Sequence, residues 1–176
     1  MITSKKTLSE YLEADRMVNH FTVKSRFLDN KCKYLRVLRK LEYLINTKAS
    51  YIKIFWYRRK LRSLSERLGI SIAPNCFGKG LYIPHYGSIV VNTTARFGEY
   101  CIIQNGVNVS EDVVCGNGCF IGAGAKILIG VHLSDYTIVG ANAVVTKSFD
   151  EENIVIAGIP AKKISDKGTK FGRIKI

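Results

Sequence analysis

The chain has 176 residues, of which 47% are hydrophobic, so it is long and apolar enough for one folded domain with a smaller attached segment. Its formal net charge of +13 is uneven, because residues 1–69 hold 17 Lys and Arg against only 6 Asp and Glu. No run approaches the roughly eighteen apolar residues of a membrane-spanning helix, and residues 1–10 lack the apolar core of a secretory signal. These features argue against an integral membrane protein and lead us to expect a cytoplasmic one.

The basic head, residues 1–69, is predicted to be helical. A short helix is expected over residues 8–15, and Gly69 is placed to end the last helix. Two longer helices are indicated by apolar residues spaced three or four apart. The first stripe is Leu35, Leu38, Leu41 and Ile45, and the second is Ile54, Tyr57, Leu61, Leu64 and Leu68.

The charge of this head has two main interpretations. In the first, the amphipathic helices pack on the rest of the chain or on a neighbouring subunit and leave a solvated basic face. In the second, residues 51–60 (Tyr-Ile-Lys-Ile-Phe-Trp-Tyr-Arg-Arg-Lys) form a cationic, aromatic face for peripheral contact with an anionic membrane. Nucleic acid is not expected as a partner, because no segment resembles a nucleic-acid reading motif.

A six-residue repeat follows the head. Two columns, two residues apart, recur through ten repeats, and Gly often follows the second column, at Gly98, Gly116, Gly122 and Gly140. The first column contains small or β-branched residues: Ile89, Ala95, Cys101, Val107, Val113, Cys119, Ala125, Val131, Thr137 and Ala143. The second is apolar throughout: Val91, Phe97, Ile103, Val109, Cys115, Ile121, Ile127, Leu133, Val139 and Val145.

This period predicts a mainly β fold, a parallel β-helix in which each repeat supplies one short strand and one corner. Residues two apart on a strand point to the same face, so both columns are expected to point inward. An antiparallel sandwich would need clear alternation and turn signals about every ten residues, which are missing. The glycines that follow the second column are expected to allow an unusual backbone angle. Three of the five cysteines, Cys101, Cys115 and Cys119, fall in the columns and are predicted to be small core residues with reduced thiols.

The repeat is interrupted at its start. Six residues before Val91 lies His85, a poor occupant of an apolar axis, and Ile83 lies eight residues before Val91. About two extra residues are therefore accommodated between Pro84 and Ser88, in an irregular turn. We expect this insertion to move His85 off the axis toward an outer groove. From the residues alone, His85 remains either catalytic or a structural histidine bonded within the turn.

The other two histidines give less indication of a functional role. His20 is expected to be solvated, and His132, between two inward residues, to point outward. The β-helix carbonic anhydrases hold zinc with three converging histidines, and three so widely separated do not supply such a site. No metal is expected.

Four segments resemble the serine acetyltransferase family of hexapeptide-repeat acyltransferases, whose fold is a left-handed β-helix. They are residues 83–92 (Ile-Pro-His-Tyr-Gly-Ser-Ile-Val-Val-Asn), 121–128, 138–147 and 157–163. The match covers about residues 70–165, and the short head resembles that of members associated with glycan assembly. We accordingly divide the chain into a helical head (1–69), a β-helix (70–148) and a C-terminal strand and loop with a basic tail (149–176).

The resemblance implies a homotrimer with active sites between subunits, acetyl-CoA as the acetyl donor and His85 as the general base. In such chemistry the imidazole, with an unperturbed pKa of about 6.5, takes the proton of an acceptor hydroxyl that attacks the thioester directly. Gln104 and Asn105 are implied as acceptor contacts. For the coenzyme, the implied contacts are Ala123, Ala141, Thr146, Lys147 and Lys162 or Lys163.

Two departures from the family bear on the acceptor. Ser71 stands where the family has an Asp that orients the histidine, so the orienting group is open, with Glu99, Glu111 and Asp112 as candidates from the same or a neighbouring subunit. The family also carries a long loop with a further His at the position of residues 110–111, and this chain lacks that loop. The shorter connection leaves a more open acceptor site, which favours a sugar or glycan hydroxyl over L-serine.

Two other classes of function remain open from the sequence. One is a non-catalytic trimeric β-helix scaffold, and the other is a membrane or acidic-surface adaptor that acts through the head.

Overall fold

The structure, a computed structural model, describes residues 1–170. The end of the predicted basic tail, residues 171–176, lies outside the described residues. The helices are α1 (Lys5–Val18), α2 (Ser25–Leu28), α3 (Asn30–Asn46) and α4 (Tyr51–Leu68). The strands are β1 (Ile70–Ile72), β2 (Ile89–Val91), β3 (Arg96–Phe97), β4 (Ile102–Ile103), β5 (Asn108–Val109), β6 (Val114–Cys115), β7 (Phe120–Ile121), β8 (Lys126–Ile127), β9 (His132–Leu133), β10 (Ile138–Val139), β11 (Val144–Val145), β12 (Val155–Gly158) and β13 (Ala161–Ser165).

The head is helical, and its two apolar stripes face inward as predicted. Leu35, Leu38 and Leu41 of α3 are buried, and Leu61, Leu64 and Leu68 of α4 are also buried. Helix α1 is longer than the predicted segment because Ser4 and Thr7 form a capping box that begins it earlier. Gly69 ends α4 in the left-handed conformation (φ 65°), which a residue without a Cβ adopts at no steric cost. Among the described residues, no helix is both long and apolar enough to cross a membrane.

The rest of the described chain winds into a left-handed β-helix with three faces, each a sheet of parallel strands. Face A contains β1, β2, β5, β8 and β11, face B contains β3, β6 and β9, and face C contains β4, β7, β10 and β12. Strand β13 pairs antiparallel with β12 at the edge of face C. From β2 to β11, successive strands of a face lie eighteen residues apart, as in the pairing of Val91 with Val109, because three six-residue repeats complete one coil. The predicted fold is confirmed.

The two columns of the repeat form the core of the β-helix. Every member of both columns is buried, including Thr137, whose hydroxyl donates to the Ser134 carbonyl at 2.8 Å. All five cysteines are buried free thiols, as predicted for the three that lie in the columns. Burial raises the pKa of the Cys101 and Cys115 thiols well above the ordinary value, so both groups remain protonated.

The glycines after the second column have a different reason from the one we expected. Gly98, Gly116, Gly122 and Gly140 do not adopt left-handed backbone angles. Instead, a Cβ at each of these four positions would lie between 2.1 and 2.8 Å from an atom of the next coil. The expectation of an unusual backbone angle was wrong, and the requirement is close approach of successive coils.

Gly122→Ala is expected to destabilise the β-helix. The added Cβ would lie 2.6 Å from the Val139 carbonyl oxygen and 2.7 Å from the Ala141 nitrogen, both of them backbone atoms that cannot rotate away. Because overpacking of this kind typically costs 1–3 kcal/mol, we expect a loss of about 2 kcal/mol in the free energy of unfolding, measured by urea denaturation. An unchanged denaturation midpoint would contradict the close approach of the coils.

Candidate functional site

His85 lies in the irregular turn that interrupts the first coil. Ile83 and Val91 are both buried, so the inward positions resume on either side of the turn. The turn itself is exposed at His85, and Tyr86 is 63% exposed. As predicted, the extra residues move His85 off the axis and present its imidazole at the surface.

The turn belongs to one edge of the β-helix, where face C meets face A. On this edge the corners of successive coils stack through backbone hydrogen bonds. The Gly106 nitrogen donates to the Gly87 carbonyl at 3.2 Å, the Gly124 nitrogen to the Asn105 carbonyl at 2.9 Å, and the Asn142 nitrogen to the Ala123 carbonyl at 2.8 Å. We call this row the His85 edge, and it contains residues 84–88, 104–106, 122–124 and 140–142.

Five of the predicted site residues lie together on the His85 edge. Gln104 and Asn105 occupy the corner one coil beyond His85, and Ala123 and Ala141 occupy the next two corners. Asn105 and Ala141 are exposed, whereas Gln104 and Ala123 are half-buried. The edge therefore presents, in order, an imidazole ring, two amides and two small residues beside accessible backbone.

Two side chains of the head hold the strand that leads into the His85 turn. The Asn19 amide donates to the Leu81 carbonyl at 2.8 Å and accepts from the Ile83 nitrogen at 3.2 Å. The Lys31 ammonium donates to the carbonyls of Pro84 at 2.7 Å and Ile83 at 3.3 Å. This segment pairs with β4 on one side only, through Tyr82 and Ile102, so the carbonyls of residues 81, 83 and 84 and the nitrogen of residue 83 take their hydrogen bonds from the head.

A buried ionic cluster ties the head to the segment before this turn. The Arg39 guanidinium, fully buried, lies 2.8 Å from Asp15 and 3.0 Å from Glu42, and it donates to the carbonyls of Phe77 and Gly78. Burial alone would lower the pKa of this guanidinium, but the charges of Asp15 and Glu42 outweigh it and raise the pKa. Arg39 therefore stays charged.

The carboxylates of the cluster also accept hydrogen bonds from backbone nitrogens of the first coil. Asp15 accepts from the Gly80 and Leu81 nitrogens, each at 2.9 Å, and Glu42 accepts from the Asn75 nitrogen at 2.9 Å. The first coil is thus built partly on the head. Sequence reasoning did not identify Asn19, Lys31 or Arg39 as supports of the site, because only the fold brings them to it.

The proposed orienting carboxylates lie away from His85 within one subunit. Glu99 is at the edge between faces B and C, where it lies 3.4 Å from the Lys79 ammonium. Glu111 and Asp112 are in the corner between β5 and β6, at the edge between faces A and B. Within a single subunit, none of the three is on the His85 edge, so a role for any of them requires a second subunit.

The remaining coenzyme candidates are divided between two regions. Thr146 and Lys147 follow β11 at the edge between faces A and B, so one subunit does not bring them to Ala123 and Ala141. Lys162 is exposed on β13, whereas the Lys163 ammonium is already paired with Glu151 and with Asp166. Lys162 is thus the better placed of the two lysines for an anionic ligand.

The other histidines are both exposed, as expected. The Nδ1 atom of His132 lies 3.2 Å from Asp150, which gives this ring a surface ion pair when it is protonated. Over residues 1–170, no three or more His, Cys, Asp or Glu side chains are grouped so that they would hold a metal ion.

Comparison with known proteins points to one family. A serine acetyltransferase from Synechococcus elongatus is 31% identical over 122 residues, which cover 64% of this chain and 50% of that protein. One from Helicobacter pylori strain J99 is 30% identical over 123 residues, covering 64% of this chain and 71% of that protein. No model of a protein family matches the chain.

Solved structures agree on the fold. The chain superimposes on the crystal structure of serine acetyltransferase in complex with coenzyme A from Brucella abortus with a TM-score of 0.76 and 24% identity, over 94% of this chain and 71% of that one. The chain spans about half the length of the Synechococcus relative and somewhat more of the others. By its sequence and its fold, the chain belongs to the serine acetyltransferase family.

Proposed function

We propose that the protein is an O-acetyltransferase that moves an acetyl group from acetyl-CoA to the hydroxyl of L-serine. The observation that carries this proposal is the placement of His85, exposed in a two-residue insertion at the start of one edge of the β-helix. The same edge continues into the amides of Gln104 and Asn105 and the small residues Ala123 and Ala141. A base, polar contacts for an acceptor and accessible backbone therefore follow one another along a single line.

His85 is the general base in this proposal. Its neutral imidazole takes the proton of the acceptor hydroxyl while the oxygen attacks the carbonyl carbon of the thioester. The carbon–sulfur bond then breaks, and the departing sulfur takes a proton from the imidazolium to give free CoA. Backbone N–H groups of the edge would stabilise the negative charge on the carbonyl oxygen.

Transfer is proposed to be direct, without an acetylated enzyme. A covalent route would need an activated nucleophile such as an accessible thiolate. All five cysteines are buried, and the pKa of the Cys101 and Cys115 thiols is raised by burial. This arrangement favours a single displacement in which the acceptor oxygen itself attacks the donor.

The donor is proposed to lie along the His85 edge. The structure of the Brucella abortus relative is described as a complex with coenzyme A, which supports the same ligand here. Ala123 and Ala141 leave the backbone accessible to a pantetheine chain, and Lys162 is available for a phosphate. Thr146 and Lys147 would contact the coenzyme only from another subunit.

A homotrimer with sites between subunits is supported by the outer surface of face C. The outward positions of its strands form an apolar column, with Tyr82 paired to Ile102, Ile102 to Phe120, Phe120 to Ile138 and Ile138 to Val155. Within one chain Ile102 is buried and the other four are half-buried, and the apolar surface that remains open is expected to be covered by another chain. Because face C borders the His85 edge, a subunit packed there would line the site and would bring the carboxylates of its own edges closer to His85.

L-serine is the acceptor that the comparisons support, because the relatives are named serine acetyltransferases. Our expectation of a sugar or glycan hydroxyl rested on the missing loop at residues 110–111, and the comparisons give this expectation no support. They also give no support to membrane contact by the head.

The acceptor is tested by the release of free CoA thiol from acetyl-CoA by the full-length protein. L-serine and a panel of sugars and nucleotide sugars would be compared at equal concentration. We expect turnover with L-serine and none above background with the sugars. Turnover with a sugar alone would replace L-serine as the acceptor, and no turnover with any acceptor, despite CoA binding, would favour the non-catalytic scaffold.

Lys31→Met tests the support of the His85 turn by the head. Loss of the ammonium leaves the carbonyls of Ile83 and Pro84 without their partner, so His85 is held less well. Because misplacement of a reacting group by about 1 Å can cost a hundredfold in rate, we expect kcat to fall about tenfold, with KM for acetyl-CoA nearly unchanged. Lys31→Arg should restore most of the rate.

Lys33→Met is the matched control, since Lys33 lies in the same helix and makes no contact with the turn. Its kcat should match that of the wild type. Equal losses in the two variants would show that Lys31 acts through general stability or charge and not through the turn.

A further inference from the structure

The head contains a groove whose charge the proposed reaction does not use. It lies between α3 and α4, has a volume of about 510 Å³ and is lined by six cationic side chains with no carboxylate. These six residues, together called the basic groove, are Arg26, Lys33, Arg36, Lys40, Lys60 and Arg67. A volume of this size is within the ordinary range for small-molecule sites.

Five of the six cations lie on α3 and α4, and Arg26 lies on α2. Lys33, Arg36 and Lys40 follow one another at intervals of three and four on α3, and Lys60 and Arg67 are two turns apart on α4. The three cations of α3 are half-buried, whereas Arg26, Lys60 and Arg67 are exposed. The α3 side of the groove is therefore partly covered by packing, since long cationic side chains bury their apolar stems against neighbouring residues.

The cations of the basic groove lack the partners that other head cations have. Over residues 1–170, none of the six forms an ion pair with a carboxylate, and Lys33 reaches only the Asn30 side chain at 3.5 Å. On another face of α4, by contrast, Arg62 is paired with Glu66 at 2.9 Å, and Arg59 lies over the Phe55 ring. Six like charges around one concavity repel one another and concentrate a positive potential there.

We infer that the basic groove binds a ligand with at least two phosphate groups, a function separate from acetyl transfer. Several Lys and Arg side chains that converge without acceptors provide charge-assisted hydrogen bonds to phosphate oxygens from two sides. Tyr57 and Ser63, which also line the groove, offer hydroxyl groups as further hydrogen-bond donors. A soluble diphosphate or a cluster of phospholipid headgroups would present the same chemistry.

Binding is tested by calorimetric titration of the full-length protein with pyrophosphate at low ionic strength. In a second arm, the protein is sedimented with vesicles of phosphatidylcholine with or without phosphatidylglycerol. Trp56, the single tryptophan of the chain, lies one turn before Lys60 on α4 and provides an independent fluorescence signal. We expect saturable binding of pyrophosphate that weakens as salt is added.

The decisive comparison uses two pairs of substitutions in α4 that remove the same charge. Lys60→Gln with Arg67→Gln alters the basic groove, whereas Arg58→Gln with Arg59→Gln alters cations that do not line it. The groove pair should weaken binding by at least about tenfold, and the control pair by no more than about twofold. Arg36→Gln with Lys40→Gln, from α3, should weaken binding as the groove pair does.

The outcomes separate the sources of phosphate and the alternatives. Binding of pyrophosphate identifies a soluble ligand, and binding only of vesicles that contain phosphatidylglycerol identifies phospholipid headgroups as the source of the same chemistry. Equal losses in the groove and control pairs would overturn the inference, because they would reduce it to net charge. The absence of binding in both arms would also overturn it.

Discussion

Replacing His85 with alanine should lower the rate of acetyl transfer by about a hundredfold or more, because general-base catalysis typically contributes that much. The ring is exposed, and it forms no hydrogen bond with another of the residues 1–170, so its removal should leave folding and oligomer size unchanged. The rate is measured as CoA thiol release from acetyl-CoA with L-serine. Circular dichroism and light scattering check the fold and the mass.

His132→Ala is the control for this variant. His132 is also an exposed histidine on the β-helix, but it lies on face B and contacts Asp150. We expect its rate to match that of the wild type. If His85→Ala retained most of the activity, the base would have to be another group, and the two-residue insertion would lose its proposed role.

Replacing Arg39 with methionine should destabilise the protein by about 3–5 kcal/mol, the usual cost of removing one partner from a buried ion pair. Asp15 and Glu42 are both buried, so the substitution would leave two carboxylates without their cation and two carbonyls without a donor. We expect an early urea transition, measured at fixed protein concentration because an oligomer's stability depends on it.

Arg62→Met provides a matched comparison in the same head. Arg62 forms its ion pair with Glu66 at the surface, with 82% of its side chain exposed, and such pairs contribute little. Its free energy of unfolding should stay within about 0.5 kcal/mol of that of the wild type, so its denaturation midpoint should be nearly unchanged. Similar midpoints for the two variants would show that the Arg39 cluster does not hold the head to the first coil.

The β-helix was predictable because its core repeats. Each inward position packs against the equivalent position of the next coil, and the three faces of one coil are alike. Side chains of similar size therefore recur every six residues, and a departure such as His85 is visible as a break in register. The helices of the head were predictable for a similar reason, since packing on one face imposes an apolar stripe. The left-handed sense of the coil was expected only from the family resemblance.

The supports of the site were not predictable from the sequence. Asp15 and Arg39 are 24 residues apart on different helices, and both are residue types that usually lie at the surface. Only the packing of α1 against α3 buries them together beneath the first coil. Lys31 was not identified either, because one cation among the 17 Lys and Arg of residues 1–69 does not stand out, although its ammonium donates hydrogen bonds to the turn that holds His85.

The glycines were only partly predictable from the sequence. Their regular spacing was visible, but the reason for it was not, because a sequence does not distinguish a left-handed turn from a close contact between coils. Gly122 is required by the approach of the next coil, whereas Gly69 is favoured for its backbone angle. The position of a glycine was thus informative before its role was.

The measurement that tests the central claim most directly is mass spectrometry of the products formed from acetyl-CoA and L-serine by the purified full-length protein. We predict O-acetyl-L-serine and free CoA in equal amounts with the wild type, and almost none of either with His85→Ala at the same concentration. If free CoA appeared without an acetylated product, or if the two proteins gave equal yields, acetyl transfer by His85 would be contradicted.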